Sequence, residues 1–254
     1  MLIVSENQPQ YYCWDVEQGN GTSVNRFSIE KAIESDVDTI VSIAKEAYFH
    51  PRSCELTHRN PDARNSYDVT DRLIRRRFDK AHAHKYHVLV CKVQQVSKKH
   101  LNDIGDKVSE GKIIGTVYYQ KTATDFEDDQ QQPLGELGLL AIHPDWWGKT
   151  NGISSHLIDA VVDLAKTDKM RAIYIYAIGT LLSDGRYSNS LLNNYNDKGF
   201  EFTSKWKPGK ANKDLYTTDD GFVDMVLMVK KLEEGKDLRT IMAKNRGEIG
   251  EIKI

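Results

Sequence analysis

Two segments of this 254-residue chain carry residue types that could do chemistry together. The first runs from Glu136 through an apolar stretch to Ile142, then His143-Pro-Asp-Trp-Trp-Gly-Lys-Thr-Asn-Gly152, then Ile153 to Ile158. The second, starting 30 residues after the first ends, runs from Ser188 through Asn189 and Tyr195 to Lys198-Gly-Phe200. A strand, a glycine-containing turn and an amphipathic helix in that order leave unpaired backbone N–H groups at the helix N-terminus. Those donors, with the positive end of the helix dipole, favour a phosphate. One carboxylate at the head of the strand and one phenol in the later helix then supply a single acid–base pair. The pattern points to an enzyme that holds a phosphorylated cofactor.

The register of the turn follows from the helix. Leu157, Ile158, Val161, Val162, Leu164 and Ala165 form an apolar stripe at helical spacing. Run backwards, the stripe places the first helical turn at Gly152 to Ser155 and the loop at Trp147 to Asn151. Gly148 and Gly152 lack a Cβ, so the backbone can turn sharply and approach a ligand.

Further elements position these segments. Arg26 to Ala32 alternates as a strand, and Ser35 and Asp38 are expected to cap a helix whose apolar face is Val37, Ile40, Val41, Ala44 and Ala47. Thr70 is expected to begin a second helix. Buried strands are expected over Tyr86–Val93, Ile113–Tyr119, 136–142 and 172–178, helices over 153–167 and 188–197, and closing strands from Phe200 and over Phe222–Val229. The strand–helix–strand unit over 136–178 requires a parallel pair. Residues 1–25 read as an N-terminal extension, either a flexible arm or an edge strand, and 233–254 as a charged tail.

Composition narrows the class. The net charge is -2, from 35 basic and 37 acidic residues, so no global field favours nucleic acid or an anionic membrane. No run approaches the roughly 18 apolar residues that span a bilayer. Cys13, Cys54 and Cys91 are scattered, which argues against a disulfide framework or zinc site and for a reducing compartment: the cytoplasm, with the nucleus as alternative. His82, His84 and His87 read as a solvated strand entrance, and Arg75-Arg-Arg77 as a solvated helix face.

The two segments resemble the GNAT superfamily of acetyl-CoA-dependent N-acetyltransferases. That family carries a pyrophosphate-binding pattern of Gln or Arg, two residues, Gly, one residue, then Gly or Ala. Lys149-Thr-Asn-Gly152-Ile-Ser154 matches it, with Lys in place of Gln/Arg and Ser in place of the last Gly/Ala. An ungapped match would instead use Trp147, Thr150 and Gly152, but the first register keeps Leu157 and Ile158 on the core stripe. Tyr195 stands five residues before Phe200, as the family's tyrosine does, and Glu136 falls where several members supply a general base. The family's pantetheine-contacting Asn falls at Ser188 or Asn189.

The resemblance implies a mixed α/β (α+β) domain over 26–232, with a mostly antiparallel central sheet, one central parallel strand pair and helices on both faces. It implies acetyl-CoA as co-substrate and a primary amine as acceptor. Glu136 would be the base and Tyr195 the group that serves the leaving thiolate. Leu140, Ala141 and Ile142 would offer backbone donors to the thioester arm, and Lys149, Thr150, Asn151, Gly152, Ile153, Ser154 and Ser155 would hold the pyrophosphate. Asn189 and Lys198 complete the expected cofactor contacts. No cysteine lies in these segments to carry an acyl intermediate, so direct transfer in a ternary complex is expected. A small-molecule amine is the first expectation for the acceptor. A protein N-terminus or lysine, and a non-catalytic acyl-CoA sensor, are the alternatives. The oligomeric state is open, with a homodimer conceivable through the Ile-bearing tail.

Overall fold

The computed structural model describes residues 10–17, 24–48, 50, 64–79, 86–96, 109–121, 134–147, 152–178, 190–206, 217–218, 221–222 and 225–232. Ten strands and four α-helices lie among them. The strands are β1 (Gln10–Glu17), β2 (Val24–Lys31), β3 (Tyr86–Gln95), β4 (Ile113–Lys121), β5 (Leu134–Ile142), β6 (Ala172–Ile178), β7 (Glu201–Trp206), β8 (Thr217–Thr218), β9 (Gly221–Phe222) and β10 (Met225–Lys231). The helices are α1 (Val37–Tyr48), α2 (Arg64–Phe78), α3 (Ile153–Thr167) and α4 (Ser190–Asp197).

Eight strands form one sheet in the order β1-β2-β3-β4-β5-β6-β10-β7, and β8 pairs with β9 apart from it. Every neighbouring pair in the large sheet is antiparallel except β5 and β6. The helices divide between the faces. Leu157, Ile158 and Val161 of α3 and Leu192 and Tyr195 of α4 pack with Phe27, Leu89, Val117, Leu137 and Ile175 on one side. Ile40, Ala44 and Ala47 of α1 and Ile74 of α2 pack with Val88, Val90 and Tyr118 on the other. Strand alternation delivers side chains to both cores from one sheet.

Part of the stretch read as an N-terminal extension belongs to this sheet. Residues 10–17 are its edge strand, with Tyr12, Trp14 and Val16 packed on the α3-side core. The expected cap of α1 at Ser35 and Asp38 is corrected. A 3-10 turn over Glu34–Asp36 precedes the helix, and the Asp36 carboxylate accepts from the backbone N–H of Ile33 at 3.0 Å. The second helix begins at Arg64 rather than Thr70. The tail from 233 onward lies outside the described residues.

Candidate active site

The site is built where β5 and β6 part. Their parallel pairing runs from Leu134–Glu136 against Ala172–Tyr174 and goes no further. Beyond that point, among the described residues, β6 continues against β10 and β5 against β4 alone. The β6-facing edge of β5 after Glu136 therefore has no strand partner among them. A divergence between neighbouring parallel strands is where open α/β sheets take ligands.

A bulge in β5 accentuates the split. The β4–β5 register shifts by one residue between Tyr118↔Gly138 and Thr116↔Ala141, and Leu139 takes a left-handed φ of 51°. A non-glycine residue there costs about 1–2 kcal/mol, and such strain concentrates at functional sites. The bulge brings Ala141 to the α1-side core, while Leu140 packs on the α3 side. The Ile142 carbonyl accepts from the Trp147 indole N–H at 2.6 Å, which ties the start of the turn to the end of the strand. Trp146 is buried edge-on against Phe27. Of the two tryptophans, Trp147 is thus the one beside the strand end.

Helix α3 begins within the turn register expected from its apolar stripe. Gly152 is its N-cap, with φ 66° and ψ 14°, and brings no side chain to cap the first turn. The first intrahelical bond is from the His156 N–H to the Gly152 carbonyl. The backbone donors of Ile153, Ser154 and Ser155 precede it and have no partner within the helix. Edge strand β1 reaches this turn from outside. The Trp14 ring lies 4.2 Å from that of His156, and the Tyr12 hydroxyl donates to Asp163 farther along α3. Burial and the neighbouring Asp163 push the Tyr12 phenol up to about 12. Lys149, Thr150, Asn151 and Asn189 lie outside the described residues.

Glu136 stands at the mouth of the split, half-buried, between two phenols. The Tyr118 hydroxyl donates to one carboxylate oxygen, and the Tyr174 hydroxyl donates to the other at 3.1 Å. The backbone explains the arrangement. Tyr174 is the direct cross-strand partner of Glu136 on β6. Tyr118 pairs with Gly138 on β5, and a Cβ on Gly138 would lie 2.5 Å from the Tyr118 ring and hydroxyl. Only glycine lets that ring lie flat across β5 and reach back to Glu136. Tyr118 and Tyr174 are 6% and 5% exposed. Burial first, and then the Glu136 charge, push both phenols up, so both stay protonated and donate. Tyr176 is pushed up by the same two causes. The phenols cannot serve as bases at neutral pH, and the Glu136 carboxylate accepts a hydrogen bond from each of the two.

Tyr195 is buried at 2% exposure, its ring edge-on to Phe200 at 5.8 Å. Its carbonyl accepts the Phe200 N–H at 3.0 Å and the Lys198 N–H at 3.1 Å, closing the helix end into the Gly-Phe turn. Helix α4 touches the turn helix through Asn194, whose amide donates to Ser154 Oγ at 3.4 Å. Lys198 is tied to Asp159 at 2.6 Å. Sequence reasoning missed Tyr118 and Tyr174, because their distance from Glu136 depends on strand register. The aromatic pairs Tyr118-Tyr119 and Tyr174-Ile-Tyr176 opposite a Glu-x-Gly strand were the available signal. It also placed Arg77 on a solvated face, whereas its guanidinium lies 3.9 Å over the Tyr118 ring. His87 stacks on Tyr119, and the described residues contain no group of three metal-ligating side chains.

Comparison with known proteins agrees with this architecture. Residues 67–181 match the sequence model described as the acetyltransferase (GNAT) family, a stretch that includes Arg77, Tyr118, Glu136, Gly152 and Tyr174 and stops short of Tyr195. No curated protein matches the sequence. Among solved structures, a protein provisionally assigned as a phosphinothricin N-acetyltransferase is similar, with TM-score 0.54, 15% identity, and coverage of 82% of this chain and 99% of that one. The Escherichia coli ribosomal-protein-S18-alanine N-acetyltransferase aligns with TM-score 0.51 and 13% identity, covering 84% of this chain and 97% of that one. The Salmonella typhimurium protein yncA, solved with its cofactor acetyl-CoA, aligns with TM-score 0.50 and 15% identity, covering 83% and 96%. The split sheet agrees with both findings: the chain has the fold of these acetyltransferases, and its residues 67–181 match the GNAT acetyltransferase family. No helix among the described residues is long and apolar enough to cross a membrane.

Proposed function

We propose that this chain moves an acetyl group from acetyl-CoA to a primary amine of a small molecule, by direct attack in a ternary complex. The observation that carries the reading is Glu136 at the point where β5 and β6 diverge, with a buried phenol on each of its oxygens. The thioester arm would lie along the free edge of β5, against Leu140, Ala141 and Ile142. The pyrophosphate would meet the uncapped first turn of α3, from Gly152 to Ser155. Lys149, Thr150 and Asn151 would join that cradle, and Asn189 would contact the pantetheine.

An alkylammonium has a pKa near ~10, so at neutral pH only a small fraction of the acceptor is the neutral nucleophile. As the nitrogen bonds to the thioester carbon its remaining protons become acidic, and a carboxylate can then take one. Glu136 keeps acceptor capacity beyond the two phenol bonds, because an ionised carboxylate has about four lone-pair sites. A backbone N–H near Leu140 to Ile142 would stabilise the oxyanion, and Tyr195 would serve the departing thiolate. A covalent acyl-enzyme has no support at Cys91, which is fully buried and whose thiol burial pushes up. The proposed compartment is the cytoplasm.

A slender, unhindered amine suits a carboxylate recessed between two nearly buried rings. The test is to screen acetyl-CoA against small primary amines and against peptides with free N-termini or lysines, reading release of the CoA thiol. Turnover of small amines above peptides is the expected result. Preference for peptides would replace the acceptor, and no turnover with any amine, despite acetyl-CoA binding, would favour an acyl-CoA sensor.

A further inference from the structure

The three arginines closing α2 have unlike surroundings. Arg75 is held by Asp71 at 2.5 Å and Asp38 at 2.8 Å, as a surface arginine on a polar face would be. Arg77, half a turn on, pairs with no carboxylate among the described residues. Its guanidinium lies 3.9 Å over the Tyr118 ring and 5.6 Å from the centre of the Tyr86 ring. One nitrogen donates to the Leu73 carbonyl at 2.9 Å, and its Nε is buried without a partner. A buried N–H left without an acceptor is a cost. The geometry gives up that bond and keeps the stack.

The ring under Arg77 is the one whose hydroxyl donates to Glu136. Tyr86 stands edge-on to the same ring at 6.1 Å, so Tyr118 is gripped between a cation on its face and a second phenol. We propose that Arg77 is a positioning residue for the acid–base centre. It clamps Tyr118 flat across Gly138, and through the Tyr118 hydroxyl it fixes the orientation of the Glu136 carboxylate. Among the described residues, the titratable and charged groups facing that carboxylate are Tyr118 from β4, Tyr174 and Tyr176 from β6, and, behind Tyr118, Arg77 from α2. Arg77 is the only cation of the set. Its stacking is a property of the planar guanidinium that a lysine ammonium does not reproduce.

This inference rests on Glu136 being the proton acceptor, and its test uses neither acyl donor nor amine, so its failure leaves the transferase reading standing. Protein labelled at the glutamate side-chain carboxyl carbon is observed by NMR at one fixed neutral pH, with Glu136→Gln identifying the signal. In Arg77→Met the Glu136 signal should move from its position in the unsubstituted protein, because the phenol that holds the carboxylate is no longer clamped. In a Tyr118→Phe background the same substitution should move it far less, because the hydroxyl that links the two is gone. An unmoved Glu136 signal in Arg77→Met, or an equal displacement in both backgrounds, would overturn the proposal. If Arg77→Met does not fold, the Arg77 Nε–H signal decides it: it should move in Glu136→Gln and lose that response in a Tyr118→Phe background, and a signal indifferent to Glu136 contradicts the coupling.

Discussion

The two ends of the candidate site are built in opposite ways. At Glu136 the polar groups are satisfied in advance, each carboxylate oxygen holding a phenol and one phenol holding a guanidinium. At the start of α3 they are not, since a left-handed Gly152 opens the helix and brings no capping side chain. A carboxylate that must act in one geometry gains from neighbours that fix it before any ligand arrives. A helix N-terminus that must receive an anion gains from donors left for that anion. The contrast supports the proposal of proton transfer at the first end and cofactor binding at the second, and substitutions should separate the two functions.

The largest effect is expected at the prearranged end. Glu136→Gln should lower kcat by about 10²–10⁴-fold, the usual worth of a positioned base, while calorimetry finds acetyl-CoA affinity unchanged. A fall in affinity with kcat intact would reverse the assignment. Next comes Gly138→Ala, whose methyl would lie 2.5 Å from the Tyr118 ring. Displacing Tyr118 should reduce kcat by about tenfold or more and cost roughly 1–3 kcal/mol in chemical denaturation, as overpacking does.

At the open end the sign pattern inverts. Gly152→Ala places a Cβ at φ 66° and 3.3 Å from the His156 ring. The left-handed conformation costs an alanine about 1–2 kcal/mol; if the ligand-free turn relaxes out of it and binding must restore it, acetyl-CoA should bind up to about five- to thirtyfold more weakly, with kcat at saturation nearly unchanged. The smallest effect is on stability. Burial lowers the pKa of His87 and of His156 from the ordinary 6.5. Both are therefore less readily protonated folded than unfolded. Stability is full above pH 6.5 and is lost as pH falls toward the depressed folded values. Tm should drop between pH 7.5 and 5.5, and less so in His87→Phe.

Legibility from the sequence divides along the same line. The cofactor end is local. The apolar stripe of α3 fixes its span to Ile153–Thr167, and Gly152 then falls at the cap, with no long-range information needed. Strand β6 was equally legible, at 172–178. The acid–base end is non-local. Tyr118 precedes Glu136 by 18 residues and Tyr174 follows it by 38, and their convergence depends on a β5 bulge and a parallel register that no window of sequence encodes. Arg77 looked like Arg75 for the same reason, because a helical wheel does not say which arginine meets a tyrosine from the sheet. The start of α2 escaped because Arg64 to Asp68 carries no apolar stripe, and β1 stood only as one of two alternatives because its alternating Tyr12, Trp14 and Val16 sit in a polar, glycine-bordered stretch.

The measurement that tests the central claim most directly is a calorimetric titration with acetyl-CoA beside acetyl-pantetheine, which keeps the thioester arm and lacks the pyrophosphate. If the open turn of α3 holds the phosphates, acetyl-CoA should bind in the micromolar range. Acetyl-pantetheine should then bind at least about 100-fold more weakly, the worth of two charge-assisted hydrogen bonds. Equal affinity for the two ligands, or no binding of acetyl-CoA, would contradict the account.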